Sequence, residues 1–399
     1  MKKIAILGFG IVGGGIPTVL EKNADPIRRA VGEPVGISYI LDLRDFPDSP
    51  YADRVVHELA PILADPETEA VCEAMGGVEP AFTFVTACLE AGKSVVSSNK
   101  ELVAEKGDVL LKTAAEHGVS FLFEASVGGG IPLIRPFSTS LAGERISGIA
   151  GIVNGTTNYI LTAMKREGRP FSEVLAEAQS LGYAERNPSA DVDGLDAMRK
   201  ILILAALATG NLADRSDVTV EGIRNVAKED IEAADALGGS LKLIARALIG
   251  ADGSLSLGVC PMIVPEDNPL SAVSGVYNAV SLTSPVAGDI LYYGRGAGRL
   301  PTAAAMVSDL TAILSGAAKA EKAPVFTKRA PGFCRPFNGE KGSCYVRAEG
   351  SSAELSELLA SLADSVEPVP GTAGFVVGGA SAGEIEKALP DARIIRILR

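Results

Sequence analysis

Short apolar runs punctuate the first third of the chain at positions 4–7, 35–41, 70–75, 94–97 and 120–123. Each is bounded by glycine or polar residues and separated from the next by a stretch with helical character, such as 80–91, so each run reads as a strand. Strands alternating with helices predict an α/β fold, a Rossmann-type doubly wound parallel sheet whose ligands bind at the carboxyl ends of the strands. From about 133 to 299 the pattern mixes strands (148–153, 255–259, 289–293) with helices, which predicts a second, α+β domain. An apolar helix over 301–315 is expected to pack back on the first domain, giving that domain residues 1–132 plus about 300–318. Lys, Pro, Gly and Arg interspersed through 320–340 read as a linker. The last segment, 341–399, alternates as strand, helix, two strands, helix and strand, with Ser352 expected to cap its first helix.

The first strand runs into Gly8-Phe9-Gly10-Ile11-Val12-Gly13, and a helix starts near Gly13. In a strand–turn–helix context this G-x-G-x-x-G fits a dinucleotide. Gly8 allows the tight turn, Gly10 lets main chain approach a pyrophosphate, and Gly13 permits close packing of helix on strand. At the tip of the second strand stand both Asp42 and Arg44. An acid there accepts from the ribose 2′-hydroxyl of NAD, whereas an arginine accommodates the 2′-phosphate of NADP. One step of register separates the two outcomes, and the sequence leaves both open.

Residues 182–200 concentrate Glu185, Asp191, Asp193 and Asp196 just before an apolar helix, with Lys200 one turn past Asp196. An exposed pair at this spacing is worth only a few tenths of a kcal/mol. The run Ile-Leu-Ile-Leu-Ala-Ala-Leu-Ala that follows Lys200 predicts burial instead, and a lysine beside carboxylates at the mouth of a buried helix is a candidate for proton transfer. Lys100 and the loop beginning at Glu124 also fall at strand ends.

Composition narrows the class. The chain has 399 residues, enough for two or three domains, and its net charge of −12 disfavours nucleic acid or an anionic membrane surface as partner. Five scattered cysteines without a C-x-x-C, the absence of a signal peptide before the first strand and apolar runs too short to span a bilayer predict a cytoplasmic protein with reduced thiols. Two histidines make a histidine-based metal site or triad a poor expectation.

The segments GFGIVGGG (8–15), LRDF (43–46), EAMGG (73–77), SNKELVAEKG (98–107), FEASVGGGIPLI (123–134), GIVNGTTNYIL (151–161), GYAERNPSADVDGLDAMRK (182–200) and GRGAGRLPTAAAMVSDL (294–310) together resemble the homoserine dehydrogenases, across nearly the whole chain and in the family's order. That family interconverts L-homoserine and L-aspartate 4-semialdehyde with NAD(P), in the biosynthesis of threonine, methionine and isoleucine. The resemblance implies that Lys200 is the proton-transfer lysine, oriented by Asp196, and that Lys100 lies near the nicotinamide and the reacting oxygen. It implies that Glu185, Asp191 and Asp196 surround the substrate, to which Gly182 offers a main-chain contact, and that Phe9, Val12 and Gly298 line the dinucleotide. Main-chain oxygens of Glu124, Val127, Gly129 and Ile131 would hold a monovalent cation, sodium, for which all-oxygen ligation suits a hard ion. The resemblance makes 133–299 the substrate-binding and dimerisation domain, so a homodimer or homotetramer is expected, and the 341–399 segment resembles a small ACT-type module.

Departures accompany the match. The loop after Arg44 carries Asp48 and no further basic residue, so NADP is favoured while NAD remains usable. Ser97-Ser98 precede the Asn-Lys, and Glu349-Gly350-Ser351-Ser352 replaces the Asp-x-Pro-Gly turn of ACT modules. Two other readings stand beside this one. One is a dehydrogenase of another small amino alcohol or semialdehyde; the other is a non-catalytic dinucleotide sensor, which has no need of Lys100, Lys200 and the acid cluster together.

Overall fold

The computed structural model describes residues 1–398. It divides into two compact units: residues 1–144 with 202–212 and 294–328, and residues 145–201 with 213–293 and 329–399.

The first unit holds six strands: β1 (Lys2–Leu7), β2 (Val35–Leu41), β3 (Val55–Val56), β4 (Thr68–Glu73), β5 (Ser94–Ser97) and β6 (Phe121–Leu122). All neighbours pair in parallel, in the order β3-β2-β1-β4-β5-β6. This is the doubly wound arrangement, and its order reverses between β1 and β4, where such sheets open a ligand crevice. Ile4 through Leu7 of β1 are wholly inaccessible, since helices cover both faces of a central parallel strand. The helix Arg299–Leu314 packs back on the sheet, its Ala303, Met306 and Leu310 joining Ile16, Leu20 and Ile27 in one core cluster. Two more short strands, β8 (Asn211–Leu212) and β14 (Thr327–Lys328), pair in parallel in the same unit. Residues 320–340 are therefore not a plain linker. They carry β14, and Phe326 and Phe337 are buried, because two large apolar side chains gain more from packing than the intervening polar residues lose.

A ten-stranded mixed sheet carries the second unit. Its strands are β7 (Gly148–Ile152), β9 (Val218–Val220), β10 (Gly239–Ile249), β11 (Leu255–Pro265), β12 (Tyr277–Ser284), β13 (Gly288–Arg295), β15 (Lys341–Arg347), β16 (Ser365–Pro368), β17 (Gly374–Ser381) and β18 (Arg393–Ile397). The order is β13-β12-β7-β10-β11-β18-β15-β17-β16, with β9 alongside β11. β10 and β11 form a long antiparallel ribbon from Gly239↔Pro265 to Ile249↔Leu255. The C-terminal strands pair antiparallel among themselves, and β18 joins β11 in parallel at Met262↔Arg396 and Ile263↔Ile397. The 341–398 segment thus continues the large sheet while keeping its own apolar cluster around Val346, Leu359, Val377 and Ile385. Its first helix, Ser352–Ala360, is capped by Ser351, whose hydroxyl accepts from Glu354 N at 3.3 Å, one residue before the serine expected from the sequence.

Candidate active site

The glycine turn leaves the end of β1 as the motif requires. Gly8 has φ +87°, and a Cβ on Gly13 would lie 1.9 Å from the Gly8 carbonyl oxygen, so neither position tolerates a side chain. A Cβ on Gly10 would meet nothing within 4 Å, which leaves that face of the turn open. Val12 precedes the 3-10 turn Gly13–Gly15 that opens the helix. Gly298, at φ +124°, precedes helix Arg299–Leu314, and the neighbouring Arg299 donates from Nη2 to Gly14 O at 2.8 Å, holding Gly298 beside the turn.

Asp42 points back into this turn. Its Oδ2 accepts from Phe9 N at 2.8 Å, and its two oxygens also accept from Arg44 N, Nε and Nη2 at 2.9–3.0 Å. The Arg44 pairing, with main-chain donors adding to it, pulls the Asp42 carboxyl down to about 2. The Arg44 side chain is 63% exposed against 9% for Asp42, and its guanidinium lies 5.2 Å from the Phe46 ring, which packs edge-on to Phe9. The alternative left open by the sequence becomes a bidentate pair: the acid braces the turn and the arginine carries the accessible charge.

At the ends of β4 and β5 a second buried carboxylate organises the main chain. Glu73 is fully buried; its oxygens accept from Ser97 Oγ at 2.5 Å and Met75 N at 2.8 Å, and burial pushes its pKa up. Asn99 donates to Gly77 O at 2.6 Å and caps helix Lys100–Glu116 by accepting from Leu102 N. This cap sets Lys100 as the half-buried first residue of the helix. Glu73 and Asn99 enter the sequence analysis only inside matched segments and Ser97 only as a departure; none was given a role there. Asn99 one residue before a helical pattern was the available signal, as a cap.

The Glu124 loop is built in the same manner. Glu124 is 6% exposed and its carboxylate accepts from the main-chain nitrogens of Leu133, Ile134 and Arg135, at 2.5–2.8 Å. Its own N–H donates to buried Asp309 at 2.8 Å, and burial followed by the charge of Glu124 pushes the Asp309 carboxyl up to about 8. Gly129, at φ +55°, lies so close to Gly296 that a Cβ would fall 2.6 Å from its carbonyl. The carbonyl oxygens of Val127, Gly129 and Ile131, with that of Glu124, come from this one short loop. Such a donor set, all oxygen and all neutral, fits a hard monovalent cation. No group of three or more His, Cys, Asp or Glu suited to a metal occurs among the described residues.

In the second unit the acid-rich segment condenses around one asparagine. Asn154 follows β7 and caps helix Gly155–Glu167, its Oδ1 accepting from Thr157 N at 2.9 Å. Its Nδ2 donates to Asp191 Oδ1 at 2.7 Å and to Asp196 Oδ2 at 2.9 Å. Asp196 Oδ2 in turn accepts from Lys200 Nζ at 2.7 Å, and Nζ also donates to Val153 O at 2.6 Å. Asp196 and Lys200 are 4% and 8% exposed, so this i, i+4 pair on helix Leu195–Thr209 is a desolvated ion pair. Asp193 faces away, bound by Arg224. Gly182, at φ +74°, and Glu185 are exposed. The carbonyl of Glu185 accepts from Gln179 Nε2 at 3.0 Å, and its carboxylate stands outside the Asn154–Asp191–Asp196–Lys200 network. The structure thus brings Asp191, Asp196 and Lys200 together and leaves Glu185 on a surface loop. In the sequence Asn154 stands only at a turn and helix start within GIVNGTTNYIL, and nothing local reveals that its amide ties the two acids.

The arrangement offers a glycine turn for a dinucleotide and a buried lysine–carboxylate pair for proton transfer. Comparison with known proteins identifies the family. The family model described as "Homoserine dehydrogenase, NAD binding domain" matches residues 8–124, and the one described as "Homoserine dehydrogenase" matches 132–311. The homoserine dehydrogenase of Synechocystis is 45% identical over 318 residues, covering 78% of this chain and 73% of its own; that of Bacillus subtilis is 41% identical over 317 residues, covering 78% and 72%. The crystal structure of a homoserine dehydrogenase from Thiobacillus denitrificans superposes with a TM-score of 0.89 at 31% identity, covering 99% of this chain and 98% of that one. A hyperthermophilic archaeal homoserine dehydrogenase in complex with NADPH matches with a TM-score of 0.67 at 28% identity, covering 78% and 97%. The chain therefore belongs to the homoserine dehydrogenase family and is an NAD(P)-dependent oxidoreductase.

Proposed function

We propose that Lys200 moves the proton in the interconversion of L-homoserine and L-aspartate 4-semialdehyde, and that Asp196 orients it. The observation that carries this reading is the desolvated Lys200–Asp196 pair, fixed by Val153 O on one side and Asn154 on the other. In oxidation the lysine amine accepts the hydroxyl proton of homoserine. In reduction its ammonium donates to the semialdehyde oxygen as negative charge develops there. Asp191, with Glu185 brought in from its loop, pairs with the substrate ammonium, and Gly182 adds a main-chain contact. Lys100 stands by the reacting oxygen.

The nicotinamide supplies hydride exchange when bound. Gly8, Phe9, Gly10, Val12, Gly13 and Gly298 hold the dinucleotide, and exposed Arg44 receives a 2′-phosphate, so NADP(H) is preferred and NAD(H) usable. The archaeal relative's complex with NADPH supports the same choice. Sodium binds the main-chain oxygens of Glu124, Val127, Gly129 and Ile131. The C-terminal βαββαβ segment, with its sheet order β18-β15-β17-β16, is an ACT-like module, and the enzyme serves amino-acid biosynthesis as a homodimer or homotetramer in the cytoplasm. Among the described residues, no helix is long and apolar enough to cross a membrane.

The test is Lys200→Ala, assayed for NADPH oxidation with aspartate 4-semialdehyde and for NADPH binding by fluorescence. A positioned acid–base group contributes about 10²–10⁴-fold, and the loss is expected in kcat with cofactor binding retained. Wild-type kcat in this variant would reduce the lysine to a structural ion pair.

A further inference from the structure

From Gly8 through Leu20, the glycine turn and the helix start behind it, the chain carries no charged residue. The motif can therefore meet a pyrophosphate with main-chain N–H groups alone. Asp42, which accepts from Phe9 N, adds a negative charge at the turn, and Arg44 pairs with it. A pyrophosphate brings further negative charge, so a side-chain cation for it comes from outside the motif or not at all.

Arg299 is placed to supply it. It is the first residue of helix Arg299–Leu314, in the same compact unit as the turn. Its stem crosses Gly15, where a Cβ would stand 3.1 Å from Arg299 Cγ and 2.9 Å from Arg299 O. Glycine at position 15 is what lets the stem lie there. The guanidinium then reaches the turn itself: Nη2 donates to Gly14 O at 2.8 Å, while the residue stays exposed. That bond is made to a neutral group and takes one of the five N–H donors of a guanidinium. The position of the arginine adds to the argument. A cation in the first turn of a helix works against the macrodipole, and this helix has no acid in its first turn to offset it. An anion seated against the guanidinium reverses that sign. We propose that Arg299 binds the pyrophosphate of the dinucleotide, as a cation that serves NADP(H) and NAD(H) alike, whereas Arg44 separates them. The inference rests on the reading of the glycine turn as the dinucleotide site. Gly14 O fixes the stem, and the planar head presents its remaining N–H groups to phosphate oxygens.

The test measures Kd on the full-length protein, by fluorescence for NADPH and NADH and by displacement of NADPH for ADP, which carries the diphosphate without the nicotinamide. Arg299→Gln removes the charge and keeps an amide that can still donate to Gly14 O. It is expected to weaken all three ligands by about tenfold or more, the range for a hydrogen bond to a charged group, and to flatten the dependence of affinity on salt. Arg299→Lys keeps a charge on a stem of similar reach and is expected to bind all three within a few-fold of the wild type. Melting temperatures of the three proteins are expected to agree. Unaltered affinities in Arg299→Gln would overturn the assignment. So would a loss confined to NADPH, which would move Arg299 to the 2′-phosphate, and so would equal losses in the Gln and Lys variants, which would make the arginine structural. A wild-type protein that binds none of the three would instead sink the dinucleotide reading on which the assignment stands.

Discussion

In the parallel-sheet unit each carboxylate around the cofactor turn and the Glu124 loop accepts from main chain: Asp42 from Phe9 and Arg44, Glu73 from Met75, Glu124 from residues 133–135, and Asp309 from Glu124; Asp42 also pairs with the exposed Arg44 guanidinium, and Glu73 accepts from Ser97 Oγ. In the mixed-sheet unit Asp191 and Asp196 accept from side chains, the Asn154 amide and the Lys200 ammonium. The difference separates two ways of building a site. A carboxylate that receives N–H groups shapes a loop, and its work rests on an oxygen in the right place. One that faces an ammonium supplies charge as well, which no neutral group of the same shape replaces. Exchanging Asp for Asn keeps the shape and deletes the charge, so it probes the contrast directly.

The largest effect after loss of Lys200 itself is expected from Asp196→Asn. A hydrogen bond to a charged group is worth about 1.5–3 kcal/mol, and at 1.36 kcal/mol per decade the upper end is roughly 10²-fold in turnover. The loss should fall on kcat and move the pH–rate profile, because the charge beside the lysine is gone. An unshifted profile with unaltered kcat would show that Asp196 acts by shape, as the acids of the other unit do.

Arg44→Ala tests the opposite case, an accessible charge carried on an otherwise main-chain site. Removing it should weaken NADP(H) by about 1.5–3 kcal/mol and leave NAD(H) nearly untouched. KM for both cofactors in both proteins decides. Equal losses would mean that Arg44 serves mainly to brace Asp42 and, through it, Phe9. A smaller effect is expected from Glu185→Gln, which removes a contact shared by ground and transition states and so raises KM by up to about tenfold while sparing kcat. A pure kcat defect would instead place Glu185 in proton transfer.

The sequence exposes these two building modes unequally. The glycine turn is legible because each glycine answers a local steric demand, seen in the approach of Gly13 to the Gly8 carbonyl. The i, i+4 spacing of Asp196 and Lys200, with apolar residues behind them, is local too. Asn154, Glu73 and Asp309 are not legible in this way. Their partners lie 37, 24 and 185 residues away, and only the fold brings them into reach. The strand β10 escaped for another reason. Its sequence GSLKLIARALI is buried almost throughout, so the alternation that marks a half-exposed strand is missing, and Leu, Ala, Lys and Arg favour helix.

The smallest effect lies with Asp309, where stability rather than turnover should respond. Its carboxyl, about 3.8 in ordinary surroundings, is raised to about 8 in the folded protein by burial beside Glu124. Between those two values the folded state keeps a proton that the unfolded chain has lost. The slope of unfolding free energy with pH is therefore negative, and wild-type stability falls as pH climbs from about 4 to about 8. Asp309→Asn is neutral throughout, and its Oδ1 still accepts from Glu124 N. The two proteins should melt at similar temperatures near pH 4, with the variant gaining steadily as pH rises and the gain levelling off above 8. Melting curves at half-unit steps of pH, with the sodium concentration held constant, check this. A variant that loses stability equally at every pH would show that Asp309 holds the Glu124 loop by its charge. The carboxylates of the first unit would then differ less from Asp196 than their hydrogen bonds imply.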